Sequence, residues 1–473
     1  MKTNRVSVNS KTVARVLNSA RLWGPKRKGA FLPSLIMFLT IMIMVVPQGL
    51  DFQGINGIPT SSDWLSKIVW QVVLWGCGYL IYKNLTRVKA LLPYLNPFLL
   101  GVALLALASV LWSIEPAITL RRVIRMMTIL AACITFCVTP WHDSTRFQDF
   151  LRSLATYVVA ISVVFCLTNP ELALHQGGGA EIRDAWHGIT IGKNVLGSLA
   201  STTFLLWLHA WMAKHTTAAK AIGGMVIATI CLIGTRSSTS IMATVFAVVF
   251  MLLLLRSPGS MRRYMPYLVS AFAALILIYA LAILRLVPSL EVLLQPIAAI
   301  TGKDLTFSNR TSIWEVLNEH IRLSPWLGTG YCAYWIGPTP LSPSYEMLTR
   351  LYFYPTEGHN GYLDVINDLG IVGGLFLLGY FWSYIRQALT LMKIDRYQGG
   401  LYLTLIFRGF IADMSESHWF VAFSFDFVIM SLATFCMGRS LLQAQLERKL
   451  AKVQQQQQSE YASAAADPHP AAR

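Results

Sequence analysis

Apolar stretches long enough to cross about 30 Å of hydrocarbon recur from end to end of this chain. They fall near 31–47, 65–82, 97–112, 122–139, 150–168, 194–211, 220–234, 239–255, 266–287, 362–385, 399–412 and 419–437. The pattern predicts an all-α, polytopic integral membrane protein of about 12 transmembrane helices. Most connections are short. One, from 288 to 361, is long enough to suggest a function of its own. The chain thus divides into a basic segment, 1–30, a transmembrane domain, 31–438, and a low-complexity tail, 439–473, with Gln454 to Gln458 in it.

Composition agrees with this reading. Hydrophobic residues make up 55% and charged ones 13%, against about 25% charged in a soluble domain. Mean hydropathy is +0.52. The first apolar stretch follows a Lys- and Arg-rich segment and has no small-residue cleavage pattern, so it reads as a retained helix.

Charge sets the orientation. With both termini in the cytoplasm, the inside segments hold most of the 39 Lys and Arg but few of the 23 Asp and Glu. That is the positive-inside rule, with 288–361 on the periplasmic side of a bacterial inner membrane. The net charge of +16 therefore reports orientation, and nucleic acid is not an expected partner. The seven cysteines show no paired spacing, hence no disulfide framework and no zinc pattern.

Inside 288–361, Ser312-x-x-Glu315 reads as a capping box, with Ile313, Leu317 and Ile321 at helical spacing and Pro325 as the stop. Gly328 and Gly330 predict a turn. Tyr331, Tyr334 and Trp335 suit a headgroup level or a sugar face.

A second group of cations lies on the outside, almost against the apolar stretches. Charge inside a bilayer costs about 2.5–3.5 kcal/mol per residue on the lenient scale, so such placement needs a reason. Arg121, Arg122 and Arg125 open the fourth stretch, where cations oppose the helix dipole and an anion would relieve them. Gly192-Lys193-Asn194 opens the sixth, a weak anion-site pattern. Arg236 lies in a short Thr-Arg-Ser-Ser turn whose hydroxyls can cap the next helix. Arg310 precedes the capped helix, and Arg408 lies within the eleventh stretch. Glu357-Gly358-His359-Asn360 closes the long loop, with carboxylates on both sides of His359. Asp413-x-Ser415-Glu416-Ser417-His418 joins the last two stretches.

Six segments in order, WSIEPAITLRR, WHGITIGKNVLG, TRSSTS, SNRTSIWEVL, PWLGTGYCAYW and HNGYLDVINDLG, resemble the O-antigen ligase and polysaccharide polymerase family, closest to exopolysaccharide polymerases of the succinoglycan type. The resemblance runs from about Ser109 to Glu416. Two departures stand out. Gly192-Lys193-Asn194 replaces the usual His-Lys-Asn, and Asn309-Arg310-Thr311 replaces a frequent Gly-Arg-Thr, so no imidazole is carried over at 192.

The resemblance implies a membrane glycosyltransferase acting at the periplasmic face. It would use an undecaprenyl-pyrophosphate-linked oligosaccharide donor and a glycan or lipid acceptor, without metal or other cofactor. Chain-length regulator and export proteins are candidate further partners. Arg121, Arg122, Arg125, Lys193, Asn194, Arg236, Arg310 and Asn360 would bind substrate. His359 would take or orient the acceptor's proton, with Glu416 as second choice for the base. A rival reading is a lipid-linked oligosaccharide transporter (a flippase), which should place polar groups at the midplane and show repeated halves. A third is a non-catalytic scaffold using the aromatic loop as a partner surface.

Overall fold

The computed structural model describes residues 31–47, 64–139, 145–177, 182–258, a few positions between 263 and 274, and 310–465. The segment 1–30, most of the predicted stretch 266–287, the start of the long loop and 466–473 lie outside the described residues.

Each predicted apolar stretch within the described residues is helical. In chain order the helices are α1 (Phe31–Val45), α2 (Trp64–Lys83), the short α3 (Leu85–Leu91), α4 (Pro97–Ala108), α5 (Pro116–Val138), α6 (Arg146–Thr168), α7 (Lys193–Met212), α8 (Ala218–Gly234), α9 (Ser238–Arg256), α10 (Arg310–Leu323), α11 (Tyr345–Leu351), α12 (Gly361–Met392), α13 (Arg396–Ala412) and α14 (Phe425–Ala465). Among the described residues six of them, α2, α6, α7, α9, α12 and α14, are long and apolar enough to cross a bilayer; a bent pair formed by Leu85–Tyr94 and Pro97–Leu111 would make a seventh. The expected count of about twelve exceeds what these criteria support. α1 and α8 are shorter apolar helices. α5 is diluted by Arg121, Arg122 and Arg125 in its opening turns.

Outward faces are apolar, as a hydrocarbon surround requires. Trp75, Tyr157, Leu167 and Ile233 are 67–73% exposed. The centre is formed by α13 and the first half of α14, whose residues Leu401 to Phe407 and Phe425 to Met437 are nearly all buried. α14 also differs in length from its prediction. It starts at Phe425 because 413–424 forms turns, and it runs on through Gln454–Gln458 to Ala465.

The long loop is ordered by α12. That helix breaks at Gly370, whose φ of 66° is left-handed. Backbone from the loop enters the break: Ile371 N donates to Pro325 O (2.8 Å) and Val372 N to Trp326 O (3.2 Å), while Thr329 N and Gly330 N donate to Asn367 O and Asp368 O. A Cβ on Gly370 would lie 2.2 Å from the Trp326 backbone, and one on Gly328 2.4 Å from that of Asp368. Only glycine permits this crossing of two chains.

Two local expectations need correction. Ser312 lies within α10, with Arg310 and Thr311 before it already helical, and not at the helix cap. Tyr331 and Tyr334 are not at a headgroup surface: they are 2% and 0% exposed, because Tyr331 Oη reaches the Phe420 carbonyl and Tyr334 packs with Ile313, Trp314 and Leu317. Cys332 is likewise buried, as are all seven cysteines, and none is paired.

The orientation can be checked by thiol labelling. On a Cys-free background, a membrane-impermeant reagent should modify Leu341→Cys, at a side chain 91% exposed, but not Ser459→Cys in the last turns of α14. The opposite pattern would invert the topology.

Candidate functional site

Several helix termini meet at one end of the bundle. The turn 413–424, between α13 and α14, ties them together. Gly361 N, at the start of α12, donates to the carbonyls of Asp413 and Glu416, both at 3.0 Å. A Cβ on Gly361 would fall 2.1 Å from Asp413 Oδ1, so the approach needs glycine. Asp413 in turn accepts from His418 N (2.8 Å) and Trp419 N (2.9 Å). Burial pushes its carboxyl up to about 7.

Glu416 is the hub, with 8% of its side chain exposed. Its Oε1 accepts from Arg310 at 2.9 Å and from Asn194 Nδ2 at 2.8 Å. Arg310 also donates to the Ser415 carbonyl. Asn194 Oδ1 accepts from Ser237 Oγ at 3.1 Å, and Ser237 caps α9 as its sequence suggested. Thr239 and Ser415 share a hydrogen bond of 2.6 Å. Asn194 and Arg310, distant in sequence, therefore converge on one carboxylate, with Ser237 holding Asn194 in place.

His359 faces the same carboxylate. Its Nδ1 lies 3.1 Å from Glu357 Oε1 and 3.7 Å from Glu416 Oε2. Its φ is +48°, and Arg236 has +49°. Such conformations are costly for residues with a Cβ, and they concentrate where a side chain must be aimed. Burial alone would favour a neutral ring. The two carboxylates outweigh it, pushing the imidazole up to about 10. Conversely, burial would raise Glu416, but His359 and Arg310 hold it well below the usual carboxylate range. At neutral pH this is an imidazolium between two carboxylates.

The remaining predicted residues surround this centre. Asn360 is buried and caps α12, its Oδ1 accepting from Tyr362 N and Leu363 N at 3.1 Å. Lys193 opens α7 beside Asn194; burial, and after it the nearby Lys193, disfavour charge on His175. Arg236 is exposed, with NH1 on the Arg183 carbonyl at 2.8 Å. Arg121 is exposed on α5. Arg122 is half-buried, donating to the carbonyls of Cys332 and Trp335. Its guanidinium lies 5.0 Å from the Phe423 ring, and that of Arg125 stacks on Trp70 and Phe423. Arg122 and Arg125 therefore reach the loop that carries Glu416 by way of Phe423.

Glu357, His359 and Glu416 could in principle hold a metal ion, since their ligand atoms lie within 4.8 Å of one another. Arg310 already places a positive charge against Glu416, so the donor set fits an internal cation better than an added one.

Beneath the site lies a second ionic group that sequence reasoning saw only as isolated charges. Arg408 pairs with Asp426, with 3% and 5% of the side chains exposed. Ser198 Oγ bonds both, at 2.6 Å to Asp426 and 3.0 Å to Arg408. His418 Nε2 lies 3.3 Å from Asp426, which links this group to the 413–424 turn.

A family model described as O-Antigen ligase matches residues 223–378. That stretch holds Arg236, Arg310, Glu357, His359 and Asn360. Among curated proteins, the exopolysaccharide production protein ExoQ of Rhizobium meliloti (strain 1021) is 24% identical over 314 residues, covering 63% of this chain and 67% of that protein.

Proposed function

These two matches support the O-antigen ligase and exopolysaccharide polymerase family for this multi-pass membrane chain, and from that premise we propose a glycosyltransferase working on an undecaprenyl-pyrophosphate-linked glycan at the periplasmic face. The observation that carries the proposal is the convergence of Glu357, His359, Glu416, Arg310 and Asn194 at a membrane-protein surface that also presents Arg236 and Lys193.

The chemistry follows from what each group can do. An acceptor hydroxyl attacks the anomeric carbon of the donor glycan. The carbon–oxygen bond to the pyrophosphate breaks, and its electron pair leaves with the phosphate oxygen. Charge therefore grows on the pyrophosphate, and preorganised cations are worth most there. Arg236, Lys193 and Arg121 have exposed or partly exposed positions from which to meet it, with Arg310 at the edge of the cluster. Guanidinium suits two phosphate oxygens at once. His359 stays protonated and orients the hydroxyl as a donor. The hydroxyl's proton passes to Glu357, the partly exposed carboxylate 3.1 Å from His359 Nδ1. Glu416 is committed to Arg310 and Asn194, so it serves as the anchor of the imidazole and not as the base.

Three measurements test this. Purified protein in liposomes with lipid-linked repeat units should yield longer glycan; movement of donor across the membrane without extension would favour the carrier reading. Arg236→Ala and Arg310→Lys should each lower extension by about 10²-fold or more, whereas Lys393→Ala, which removes the same charge as Arg236→Ala from an exposed site at the other end, should be nearly silent. If both sets behave alike, the cations are membrane anchors. The pH profile has a defined sign. A group raised above its ordinary value keeps its charge, and the stability the ion pair confers, at lower pH and loses both as pH rises through about 10. Extension should hold across neutrality and fall on that alkaline limb, and His359→Gln should erase the limb.

A further inference from the structure

At the other end of the bundle a groove of about 490 Å³ opens between the turn after α3, the last turns of α12 and the middle of α14. Arg386 and Arg448 contribute to its walls, with Tyr94, Gln387, Ile394 and Leu441. Among the described residues lining it there is no carboxylate. Glu447, next to Arg448, is turned to Gln443 at 3.1 Å. The groove is therefore cationic. It is also at a lipid boundary, because the Arg386 guanidinium lies 4.9 Å from the ring of Trp382, which is 60% exposed on an apolar helix face. A Trp beside an Arg marks the headgroup level.

One further atom narrows the ligand. Gln387 Nε2 donates to the Tyr94 carbonyl at 3.1 Å, while its buried Oε1 has no hydrogen-bond partner. A buried acceptor left unmade is costly, so a ligand with a hydroxyl donor would be favoured. We propose that this groove binds an anionic glycerophospholipid with a hydroxyl-bearing headgroup, its phosphodiester on Arg386 and Arg448 and its hydroxyl on Gln387 Oε1. Ile394 and Leu441 continue the groove as an apolar floor for the start of an acyl chain. Basic pockets between transmembrane helices recognise anionic headgroups in this manner. The inference is independent of the glycan chemistry at the other end.

The test is lipid retention by the full chain. Protein exchanged from detergent into vesicles of phosphatidylcholine, phosphatidylglycerol or phosphatidic acid is re-extracted, and bound lipid is read by native mass spectrometry. Phosphatidylglycerol should be retained about tenfold over phosphatidylcholine. Arg386→Ala with Arg448→Ala should remove that preference, while the corresponding pair of Lys substitutions should keep most of it. Gln387→Leu should erase only the preference for phosphatidylglycerol over phosphatidic acid. If the Ala pair does not fold, judged by size exclusion, the Lys pair and Gln387→Leu carry the test. Equal retention of phosphatidylcholine, or no change in the variants, overturns the proposal. Displacement by soluble glycerol phosphate as effective as by lipid would reassign the groove to a soluble phosphate.

Discussion

His359→Ala should lower glycan extension by about 10²–10⁴-fold, the range for a lost proton-handling or hydroxyl-orienting group. The loss should fall on turnover, with donor affinity kept, because the proposed phosphate contacts lie on Arg236, Lys193 and Arg121. His359→Gln should recover part of the activity, since an amide can still donate a hydrogen bond but carries no charge. Glu416→Gln is the companion variant. It keeps the shape but removes the charge that holds Arg310 and His359, so both turnover and donor affinity should drop. Normal polymer from His359→Ala cells at normal protein level would remove this residue from the site.

The second large effect is on stability. Arg408→Ala leaves Asp426 buried with its main partner gone. Breaking a buried pair in this way costs about 3–5 kcal/mol. Thermal unfolding in detergent should show it, and so should reduced protein in the membrane. Arg408→Leu combined with Asp426→Leu should recover much of the loss, because neither charge is then stranded. A double variant as unstable as the single one would mean that the charges matter for something other than each other. A stable single variant that extends no glycan would move Arg408 from support to site, through His418 and the 413–424 turn.

The helices were legible because their signal is local. Twenty apolar residues in a row need no partner to be recognised, and the described boundaries lie within a few residues of the predicted ones at most ends. Failures came where tertiary contacts decide. The 413–424 turn reads as apolar from Trp419 to Phe423, yet Asp413 folds it back by binding two amides. Tyr331 and Tyr334 look like surface aromatics until the loop is seen to be tucked into α12.

The site divides the same way. His359, Glu416, Arg310 and Asn194 could be singled out as polar residues at apolar boundaries. Their convergence could not, because Asn194 and Glu416 are 222 positions apart. Glu357 was visible only as a neighbour of His359 in sequence. Its role as a direct partner depends on the left-handed turn at His359, for which the adjacent Gly358 was the only hint.

The break in α12 bears on how the protein is made. Ile371 and Val372 give their amide protons to the carbonyls of Pro325 and Trp326. Before that loop has docked, those amides would be bare in hydrocarbon, at several kcal/mol each. A newly inserted α12 would avoid that cost by running straight, closing its own ladder through Gly370. The bend would then form by exchange, when the carbonyls of Pro325 and Trp326 take over those hydrogen bonds. On that order, membrane insertion and completion of the site would be separate events in time. A Gly370→Ala chain should insert with normal topology and stop there, held as a straight-helix precursor whose loop stays open to protease.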